Sequence, residues 1–574
     1  MADIHIVYKD SIRVYLKADN SILYEIKEKF SFYAKGYRYN PLFKFGNWDG
    51  KISMLNVKDK SFYIGLIPDL FKWAKENGYT LSFDDKSKFL PQKTFDESYI
   101  QRMQDVGKYT PKDYQEFYVV NALKRNMALI LSPTGSGKSF IIYLLIRYML
   151  EVLEPYEKIL INVPSISLVE QLFSDFKDYV NDGFNVDLLV ERMYGGQAEN
   201  PNARVIISTW QTTRTKNRDY FDQFAGYICD EAHQASSKEL SAIIDNMPDL
   251  FYRIGLTGTL DGKQLHEIEM KSRFGTLLQK VTTAELMERG DLAQMEIDAR
   301  ILTYPLDECK YVSKKGTPYQ TEIDYIISHE TRNRYLIDCA MKCDNNTLML
   351  FNFVEKHGMM LLDDLQANAS KNLKKIFFIY QKVKGSEREE IRKILDGKAP
   401  EWYDVEFDNG CIVRVEALEN MVLGEGEKVN VSKLRKGYIL DDSYYANLIQ
   451  RESLYIQKRN TENSRIKKIT KQVGCSILLA SYGTLAVGVN IKNLHYLIFC
   501  HPLKAKIRLL QSIGRVIRAS DSKGVVKIID ICDDFSYKTP KNERINHTRK
   551  HFMERLKIYE DQKFKYKISK VEMK

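Results

Sequence analysis

Two groups of short apolar runs, separated by amphipathic segments, place the strongest constraint on the fold of this 574-residue chain. The runs are MALILS, KILINVP, ARVIIST, GYICDEAH and YRIGLTGT within residues 105–290, and TLMLFNF, KIFFIYQ, CSILLASY, YLIFCHP and VVKIIDICD within 291–540. Near-continuous apolar runs are typical of strands buried on both faces, and helical segments between them indicate parallel strands. The pattern therefore predicts an α/β fold with two parallel-sheet lobes in tandem.

Residues 1–85 follow a different pattern, in which short β-like runs surround one helical stretch, and they predict a small α+β domain. Aromatic and basic residues alternate in its middle, namely Tyr33, Tyr37, Tyr39, Phe43, Phe45 and Trp48 among Lys35, Arg38, Lys44 and Lys51. Aromatic rings stack on bases and cations meet phosphates, which makes this segment a candidate DNA-binding surface. The candidate contacts are Tyr37, Arg38, Lys44 and Trp48. The same rings could instead fill a small core, so both interpretations stay open.

Two further segments depart from the α/β pattern. Residues 396–465 are rich in β-type alternation and interrupt the second lobe, so they predict a β-rich, solvent-facing insertion with DNA or a partner as its candidate ligand. Residues 541–574 hold eleven Lys and Arg residues against five Asp and Glu residues and predict a basic helical C-terminal tail. That tail is either a polyanion contact or a solvated terminus.

Composition argues against several classes of protein. The eight cysteines form no C-x-x-C pair, so a zinc site is not expected, and reduced thiols of a cytoplasmic protein fit best. No apolar run approaches the length that crosses a bilayer, and the first residues show no basic-then-apolar signal pattern. We therefore expect a soluble, cytoplasmic protein with no membrane partner.

The segment SPTGSGKS, residues 132–139, follows an apolar run and precedes a helical stretch. Its last three positions match the phosphate-loop pattern, but Ser132 stands where that pattern begins with glycine. A glycine-rich turn between a buried strand and a helix directs backbone N–H groups at phosphate. Lys138 is the candidate contact of the β- and γ-phosphates, and the Ser139 hydroxyl is a candidate Mg²⁺ ligand. The predicted ATP-binding loop also includes Thr134, Gly135, Ser136 and Gly137.

A pair of carboxylates follows another buried run, in the segment YICDEAH. Asp230 is the candidate second ligand of Mg²⁺, and Glu231 is the candidate base that takes a proton from the attacking water. Paired acids at a strand end are, taken alone, more often solvated turn residues or a helix cap. The phosphate loop upstream favours the catalytic interpretation, and ATP with Mg²⁺ is the predicted cofactor pair.

Read together with LTGT at 256–259 and QSIGRVIR at 511–518, these two segments resemble the motif set of the superfamily 2 helicases. The resemblance covers about residues 105–540, without the insertion. It implies that the two lobes are RecA-like and that the chain hydrolyses ATP. In this family the loop commonly begins with Ala or Ser, which implies that Ser132 is an expected residue.

The resemblance also implies roles at the nucleotide for residues outside the loop. Gln115 corresponds to the glutamine that reads adenine, and Gly488 lies in a second-lobe motif that implies a nucleotide contact. Gln511 corresponds to the residue that senses the water and the γ-phosphate. Arg515 and Arg518 correspond to arginines that stabilise transition-state charge when the lobes close.

On the nucleic-acid side, several motif positions are implied contacts of the DNA backbone. They are Pro164, Ser165, Thr209, Trp210, Gln211 and Thr484. Thr257 and Thr259 match the motif that couples the ATP site to the strand, and His233 is expected to link the two carboxylates to Gln511.

A narrower resemblance, to the helicases of T-even-like bacteriophages that remodel branched DNA, is carried by YRYNPLFKFGNWDGK, ISTWQT and HFMERLKIYEDQKFKY. It implies branch migration of junctions, fork reversal and unwinding of RNA–DNA hybrids in phage recombination, replication and repair. The implied partners are branched and single-stranded DNA, RNA–DNA hybrids, and phage recombination or replication proteins, in the host cytoplasm. A restriction translocase and an ATP-gated clamp that separates no strands are the alternatives.

Overall fold

The computed structural model divides the chain into two compact units, Met1–Leu286 and Met287–Lys574. The structure describes every residue except 1, 35, 90–93, 196–199, 236, 248, 261, 263, 315, 373, 397–400, 409–411, 417–465, 474, 486–490, 519–522, 541 and 574. In the rest of the chain, no helix is long and apolar enough to cross a membrane. The seven cysteines within the described ranges are all free thiols.

The N-terminal domain is a mixed sheet with helices, which confirms the predicted α+β fold. Its strands are β1 (Ile4–Tyr8), β2 (Arg13–Ala18), β3 (Ser31–Tyr33), β4 (Lys51–Ser53), β5 (Leu55–Asn56), β6 (Ser61–Tyr63) and β7 (Leu81–Phe83), and its helices are α1 (Asn20–Lys29), α2 (Pro41–Lys44) and α3 (Ile67–Glu76). Five strands pair in the order β5, β6, β2, β1 and β7, with only β1 and β7 parallel. Alternate residues of β2, such as Val14 and Leu16, enter the core. Strands β3 and β4 form a separate hairpin.

The rest of the first unit is built on a seven-stranded, wholly parallel sheet, as its buried apolar runs predict. Its strands are β8 (Met127–Leu131), β9 (Lys158–Val163), β10 (Val190–Met193), β11 (Val205–Thr209), β12 (Phe224–Cys229), β13 (Tyr252–Thr257) and β14 (Leu277–Leu278). They lie in the order β10, β11, β9, β12, β13, β8 and β14. The helices are α4 (Tyr99–Arg102), α5 (Asp113–Arg125), α6 (Lys138–Val152), α7 (Ile166–Tyr179), α8 (Val186–Leu189), α9 (Trp210–Thr213), α10 (Ser237–Ile244), α11 (Gln264–Phe274) and α12 (Thr283–Glu288).

The N-terminal domain packs directly against this α/β part of the first unit. Ile12 lies in the hydrophobic core beneath the parallel sheet, and Leu265 of α11 packs on the core of the N-terminal domain. The Tyr63 ring is held between two guanidinium groups, 4.9 Å from that of Arg13 and 4.3 Å from that of Arg273. The N-terminal domain and the α/β part of the first unit therefore share a buried apolar interface.

The second unit contains another seven-stranded parallel sheet, in the order β17, β21, β16, β22, β23, β15 and β26. The strands of the unit are β15 (Met295–Thr303), β16 (Thr347–Phe351), β17 (Lys375–Ile379), β18 (Glu401–Phe407), β19 (Ile412–Glu416), β20 (Ile466–Val473), β21 (Ser476–Ser481), β22 (Tyr496–Phe499), β23 (Val526–Asp534), β24 (Tyr537–Lys538), β25 (Glu543–Arg544) and β26 (Tyr566–Glu572). Its helices are α13 (Leu306–Val312), α14 (Tyr319–Ser328), α15 (Glu330–Met341), α16 (Met359–Asn372), α17 (Gly385–Asp396), α18 (Tyr482–Leu485), α19 (Lys506–Val516) and α20 (His547–Asp561).

The segment predicted as a basic tail, 541–574, is part of this second α/β unit. After helix α20 it supplies β26, which pairs with β15 along the edge of the sheet. Arg555 of α20 donates to the buried Asp530 carboxylate at 2.9 Å. The buried Glu322 carboxylate caps the first turn of α20, accepting from two of its backbone N–H groups at 2.7 and 2.9 Å. These buried polar contacts fix the helix on the sheet.

The insertion predicted at 396–465 is described in part. Strands β18, β19 and β20 form a three-stranded antiparallel sheet with β18 in the centre, so this sheet extends past the predicted boundary at 465 as far as Val473. The β-type alternation therefore corresponds to real strands, while residues 409–411 and 417–465 lie outside the described residues. A role of the insertion in contacting DNA or a partner stays a prediction.

Candidate active site and nucleic-acid interface

The SPTGSGKS segment forms a loop between β8 and the first turn of α6, the position at which backbone N–H groups and the helix dipole favour phosphate. Gly135 and Gly137 have φ of 88° and 81°, a left-handed conformation that favours glycine. A Cβ at Gly137 would lie 2.5 Å from the Gln115 amide nitrogen. The two glycines are thus required by the path of the loop.

Ser132 has a structural reason to replace the usual glycine. Its hydroxyl lies 2.6 Å from the Ser136 hydroxyl, which in turn donates to the Pro133 carbonyl at 2.7 Å. The Ser132 backbone N–H donates to the Thr257 carbonyl at 3.0 Å. The side chain therefore braces the loop from inside, an interaction that glycine could not make.

Gln115, the implied adenine contact, is buried beneath the same loop. Its amide nitrogen donates to the Ser136 carbonyl at 2.9 Å, and its amide oxygen accepts from the Lys112 backbone N–H at 3.0 Å. The neighbouring Tyr114 hydroxyl donates to the same carbonyl at 3.1 Å. Gln115 thus supports the loop that would cradle phosphate, and contact with adenine stays a prediction.

The two predicted carboxylates lie at the carboxyl end of β12, beside the loop. The Glu231 carboxylate is 3.6 Å from the Lys138 ammonium group, and the Glu231 N–H donates to the Asp230 carboxylate at 2.9 Å. Glu231 has φ 49°, a left-handed conformation that costs a non-glycine residue about 1–2 kcal/mol. Such strain is concentrated at functional sites, where it directs a side chain.

The Asp230 carboxyl lies in surroundings that disfavour its ionised form. Burial raises the pKa of its carboxyl to about 7, the charge of Glu231 adds to the rise, and the Lys138 ammonium opposes it. A further positive charge would stabilise the ionised carboxylate. The chemistry of the donors, a carboxylate at Asp230 and a hydroxyl at Ser139, fits Mg²⁺, which takes one or two protein oxygens and completes its shell with phosphate and water. Across the described ranges, no cluster of three His, Cys, Asp or Glu residues could hold a metal by itself.

The loop leaves room for the groups that would meet phosphate. A Cβ at Gly258 would lie 3.1 Å from both the Lys138 ammonium nitrogen and the Thr134 hydroxyl, so glycine at this position keeps the space open.

The Ser139 hydroxyl lies 2.7 Å from the hydroxyl of Tyr179, the last residue of α7. Tyr179 belongs to no recognised motif and is 40 residues away, so the sequence offered no signal for this contact.

A short polar chain connects the carboxylates to β13. His233 Nδ1 lies 3.3 Å from the Glu231 carboxylate and 2.7 Å from the Thr257 hydroxyl. The Thr257 hydroxyl lies 2.9 Å from the Thr259 carbonyl, to which it donates. The predicted base is therefore linked through His233 to the LTGT segment within the first unit.

The remaining nucleotide residues belong to the second unit. Gln511 and Arg515 are half-buried on the same face of α19, one helical turn apart, and Arg518 follows the end of that helix beside Leu292. Gly488 lies outside the described residues. The roles of these residues at the γ-phosphate stay predictions.

The predicted DNA-backbone contacts fall into two groups. Ser165 and Thr209 are the N-caps of α7 and α9, and their hydroxyls accept from the helical N–H groups. Next to them in the sequence, Pro164 is partly exposed and Gln211 is exposed. Trp210, in contrast, packs in the core of the first unit with only 3% of its surface exposed, so its ring is not available to a strand.

In the second unit, the predicted contact Thr484 is also buried. Its hydroxyl lies 2.7 Å from that of Ser481, which ends β21. The side chain therefore braces the turn after that strand, and any contact with a DNA backbone would need the neighbouring main chain.

The aromatic segment of the N-terminal domain lies on the surface, around the β3–β4 hairpin. We call its exposed apolar side chains the hairpin surface, which consists of Tyr33, Tyr39, Leu42, Phe45 and Ile52. None of these five belongs to the hydrophobic core of the domain. The placement favours the DNA-binding interpretation over the alternative that these rings fill a core.

The four residues predicted as contacts differ in their surroundings. The Tyr37 ring stacks on Tyr33 with centroids 4.5 Å apart and accepts at its hydroxyl from Arg38 at 3.2 Å. Arg38 and Lys44 are exposed, whereas Trp48 is half-buried and donates to the Lys51 carbonyl at 2.8 Å. Tyr37 and Trp48 thus shape the hairpin, and the cations project from it.

Comparisons with known proteins agree with both parts of the first unit. Residues 3–84 match a family model described as "DNA helicase UvsW, N-terminal", and residues 108–262 match one described as "Type III restriction enzyme, res subunit". The ATP-dependent DNA helicase uvsW of Enterobacteria phage T4 is 29% identical over 591 aligned positions, which cover 100% of both chains. A crystal structure of the UvsW helicase from bacteriophage T4 is 30% identical over 48% of this chain and 100% of that chain, with a TM-score of 0.44.

The chain is a helicase that is similar to UvsW over its full length. It is an ATP-dependent DNA helicase of superfamily 2, which confirms the resemblance found in its motifs. The DNA-bound restriction-modification enzyme LlaBIII, 12% identical over 87% of this chain and 34% of its own, has a TM-score of 0.50. At that identity the likeness concerns the fold alone, and it agrees with the two RecA-like lobes expected from the superfamily 2 motifs.

Proposed function

We propose that the first unit binds and hydrolyses Mg²⁺–ATP at the loop after β8. In this proposal Thr134, Gly135, Ser136, Gly137 and Lys138 hold the phosphates, and the Ser139 hydroxyl and the Asp230 carboxylate ligate Mg²⁺. Mg²⁺ would supply positive charge to the β- and γ-phosphates. Lys138 adds a second positive charge, and Glu231, 3.6 Å from it, accepts the proton of the attacking water.

Residues of the family motifs complete the proposed nucleotide site. Gln115 contacts adenine, Gly488 contacts the nucleotide, and Gln511 senses the γ-phosphate and the water. Arg515 and Arg518 stabilise the charge of the transition state from the second unit. An arginine that reaches the phosphate only in the closed state would couple hydrolysis to motion of the lobes, which is the basis of a motor.

We further propose that the helicase remodels branched DNA, including junctions and forks, and unwinds RNA–DNA hybrids. The observation that carries this proposal is the hairpin surface, where five apolar side chains stand exposed beside the cations Arg38 and Lys44. Unpaired bases at a branch point offer faces for such rings, and the flanking phosphates offer charge for the cations. A domain outside the parallel sheets that binds a branch would direct the motor to that substrate. Phage recombination and replication proteins are the proposed protein partners.

A comparison of substrates tests this proposal. Strand displacement and ATP turnover are measured on single strands, forked duplexes, four-way junctions and RNA–DNA hybrids, with Glu231→Gln as the control that binds ATP without hydrolysis. We expect ATP-dependent product strands or junction movement on the branched substrates and none with Glu231→Gln. ATP turnover without either product would instead assign the chain to the ATP-gated clamps.

A further inference from the structure

The hydrogen bond between Ser139 and Tyr179 brings a residue from outside the known motifs to the metal-binding end of the phosphate loop. The two hydroxyl oxygens are 2.7 Å apart, and both side chains are partly buried. Ser139 is in the first turn of α6, while Tyr179 is the last residue of α7. A side chain from a second helix thus lies within hydrogen-bond distance of the proposed Mg²⁺ ligand.

The phenol ring of Tyr179 is packed among other aromatic rings. It makes edge-to-face contacts with three other rings, with centroids 5.1 Å from Phe140, 5.6 Å from Tyr143 and 5.9 Å from Tyr109. Two of those rings lie on α6, the helix that carries Ser139. The backbone carbonyl of Tyr179 also accepts from the Lys108 N–H at 2.8 Å. The position of the hydroxyl is therefore fixed by packing rather than by the hydrogen bond alone.

The chemistry of a serine ligand gives this contact a role. A serine hydroxyl binds a metal through an oxygen lone pair and keeps its proton free for donation. An acceptor on the far side of that proton orients the lone pair toward the metal, as the outer partners of metal ligands commonly do. The Tyr179 oxygen, 2.7 Å from the Ser139 oxygen, can serve as that acceptor.

We propose that Tyr179 is a positioning residue that orients the Ser139 hydroxyl for Mg²⁺ in the protein–nucleotide complex. The inference rests on the proposed function, since it takes Ser139 as the magnesium ligand. Tyr179 would touch neither the nucleotide nor the metal. Its effect would therefore appear in the magnesium dependence of nucleotide binding and not in nucleotide binding without metal.

The test compares Tyr179→Phe with a matched control, Tyr143→Phe, in the full-length chain. Both changes remove one hydroxyl from the same aromatic cluster and keep the ring, but the Tyr143 hydroxyl is bonded to Arg147 at 2.9 Å. Calorimetric titration of ADP, first with EDTA and then over a series of MgCl₂ concentrations, gives the apparent dissociation constant of Mg²⁺ in the complex. We expect Tyr179→Phe to raise that constant about three- to tenfold, with ADP affinity in EDTA unchanged.

Three outcomes would overturn the proposal, namely an unchanged magnesium constant in Tyr179→Phe, a tighter one, or an equal rise in Tyr143→Phe. The same titration of Ser139→Ala and of the double variant separates positioning from general damage to the fold. If Tyr179 acts through Ser139, its loss has no further effect once the serine hydroxyl is gone. If Ser139→Ala keeps the full magnesium dependence, the metal assignment of the proposed function fails as well. If Ser139→Ala weakens Mg²⁺ binding but Tyr179→Phe leaves the Mg²⁺ dissociation constant unchanged, only the positioning role fails.

Discussion

Replacing the two most exposed rings of the hairpin surface, Tyr39→Ala together with Phe45→Ala, should weaken binding of forked DNA without harming the fold. Tyr39 is 82% exposed and Phe45 is 79% exposed. Rings left this far in water contribute little to folding, so their exposure calls for another explanation. Stacking on unpaired bases at a branch supplies one, because every base presents a flat face to an aromatic ring.

The two expected effects differ in size by a wide margin. Full burial of a large apolar side chain stabilises a fold by about 1.5–3 kcal/mol, and only about a fifth of each ring is covered here, so each substitution should cost ~0.3–0.6 kcal/mol of stability. Base stacking contributes about 1–3 kcal/mol per ring, so losing two should cost ~2–6 kcal/mol of binding free energy. At 1.4 kcal/mol for each factor of ten, the dissociation constant should rise at least about 30-fold.

The measurement is fluorescence anisotropy of a labelled forked duplex at one fixed salt concentration, because phosphate contacts make affinity depend on salt. Tyr156→Ala is the matched control, since Tyr156 belongs to the same unit, is 76% exposed and lies far from the hairpin in sequence. The midpoint of thermal unfolding should fall by no more than about 2–4 °C in either protein, and ATP turnover without DNA should stay at the wild-type level. A dissociation constant within about twofold of wild type in the double variant would refute the role of the hairpin surface in binding.

Three further changes test the nucleotide site and the second unit. Lys138→Ala should lower DNA-stimulated ATP turnover on the order of a hundredfold or more, and near-normal turnover would reject the phosphate loop as the site. Glu231→Gln should keep ATP affinity in a fluorescent-nucleotide assay while hydrolysis falls about 10²–10⁴-fold; persisting hydrolysis would mean that the base lies elsewhere. Arg555→Met leaves the Asp530 carboxylate buried without its 2.9 Å partner and should cost the second unit about 3–5 kcal/mol of stability. Hydrogen exchange in β23 measures that loss, and unchanged protection would show that the pair contributes little.

The parallel sheets were predictable because burial on both faces leaves a direct trace in sequence. Every residue of β11 and of β13 is buried, so an apolar run marks each strand without any knowledge of its neighbours. The phosphate loop was predictable for a related reason, since Gly137 and Lys138 follow from a backbone path and a charge that phosphate requires. Features of this kind depend on residues that are adjacent in the sequence, so the sequence alone predicts them.

Features that depend on distant partners were not predictable. Most side chains of β26 are exposed, so the strand lacks an apolar run, and the segment reads as a charged tail until its pairing with β15 is known. Trp210 falls in a motif that implies a surface contact, yet its ring is buried in the core beneath the sheet. The bond between Ser139 and Tyr179 joins two helices whose spacing no sequence pattern records. In each case the tertiary contact, and not the local propensity, decides the outcome.

The docking of the N-terminal domain bears on how its contribution to DNA binding can be tested. Deleting residues 1–85 would take Ile12 out of the core beneath the parallel sheet and remove the Tyr63 ring from the Arg273 guanidinium group. It would also uncover α11, whose Lys271 carbonyl lies so close to Gly65 that a Cβ there would overlap it. Loss of activity after such a deletion would follow from exposed apolar surface as readily as from lost DNA contacts. Substitutions on the exposed hairpin surface avoid this ambiguity, because they change what a strand meets and leave the shared core in place.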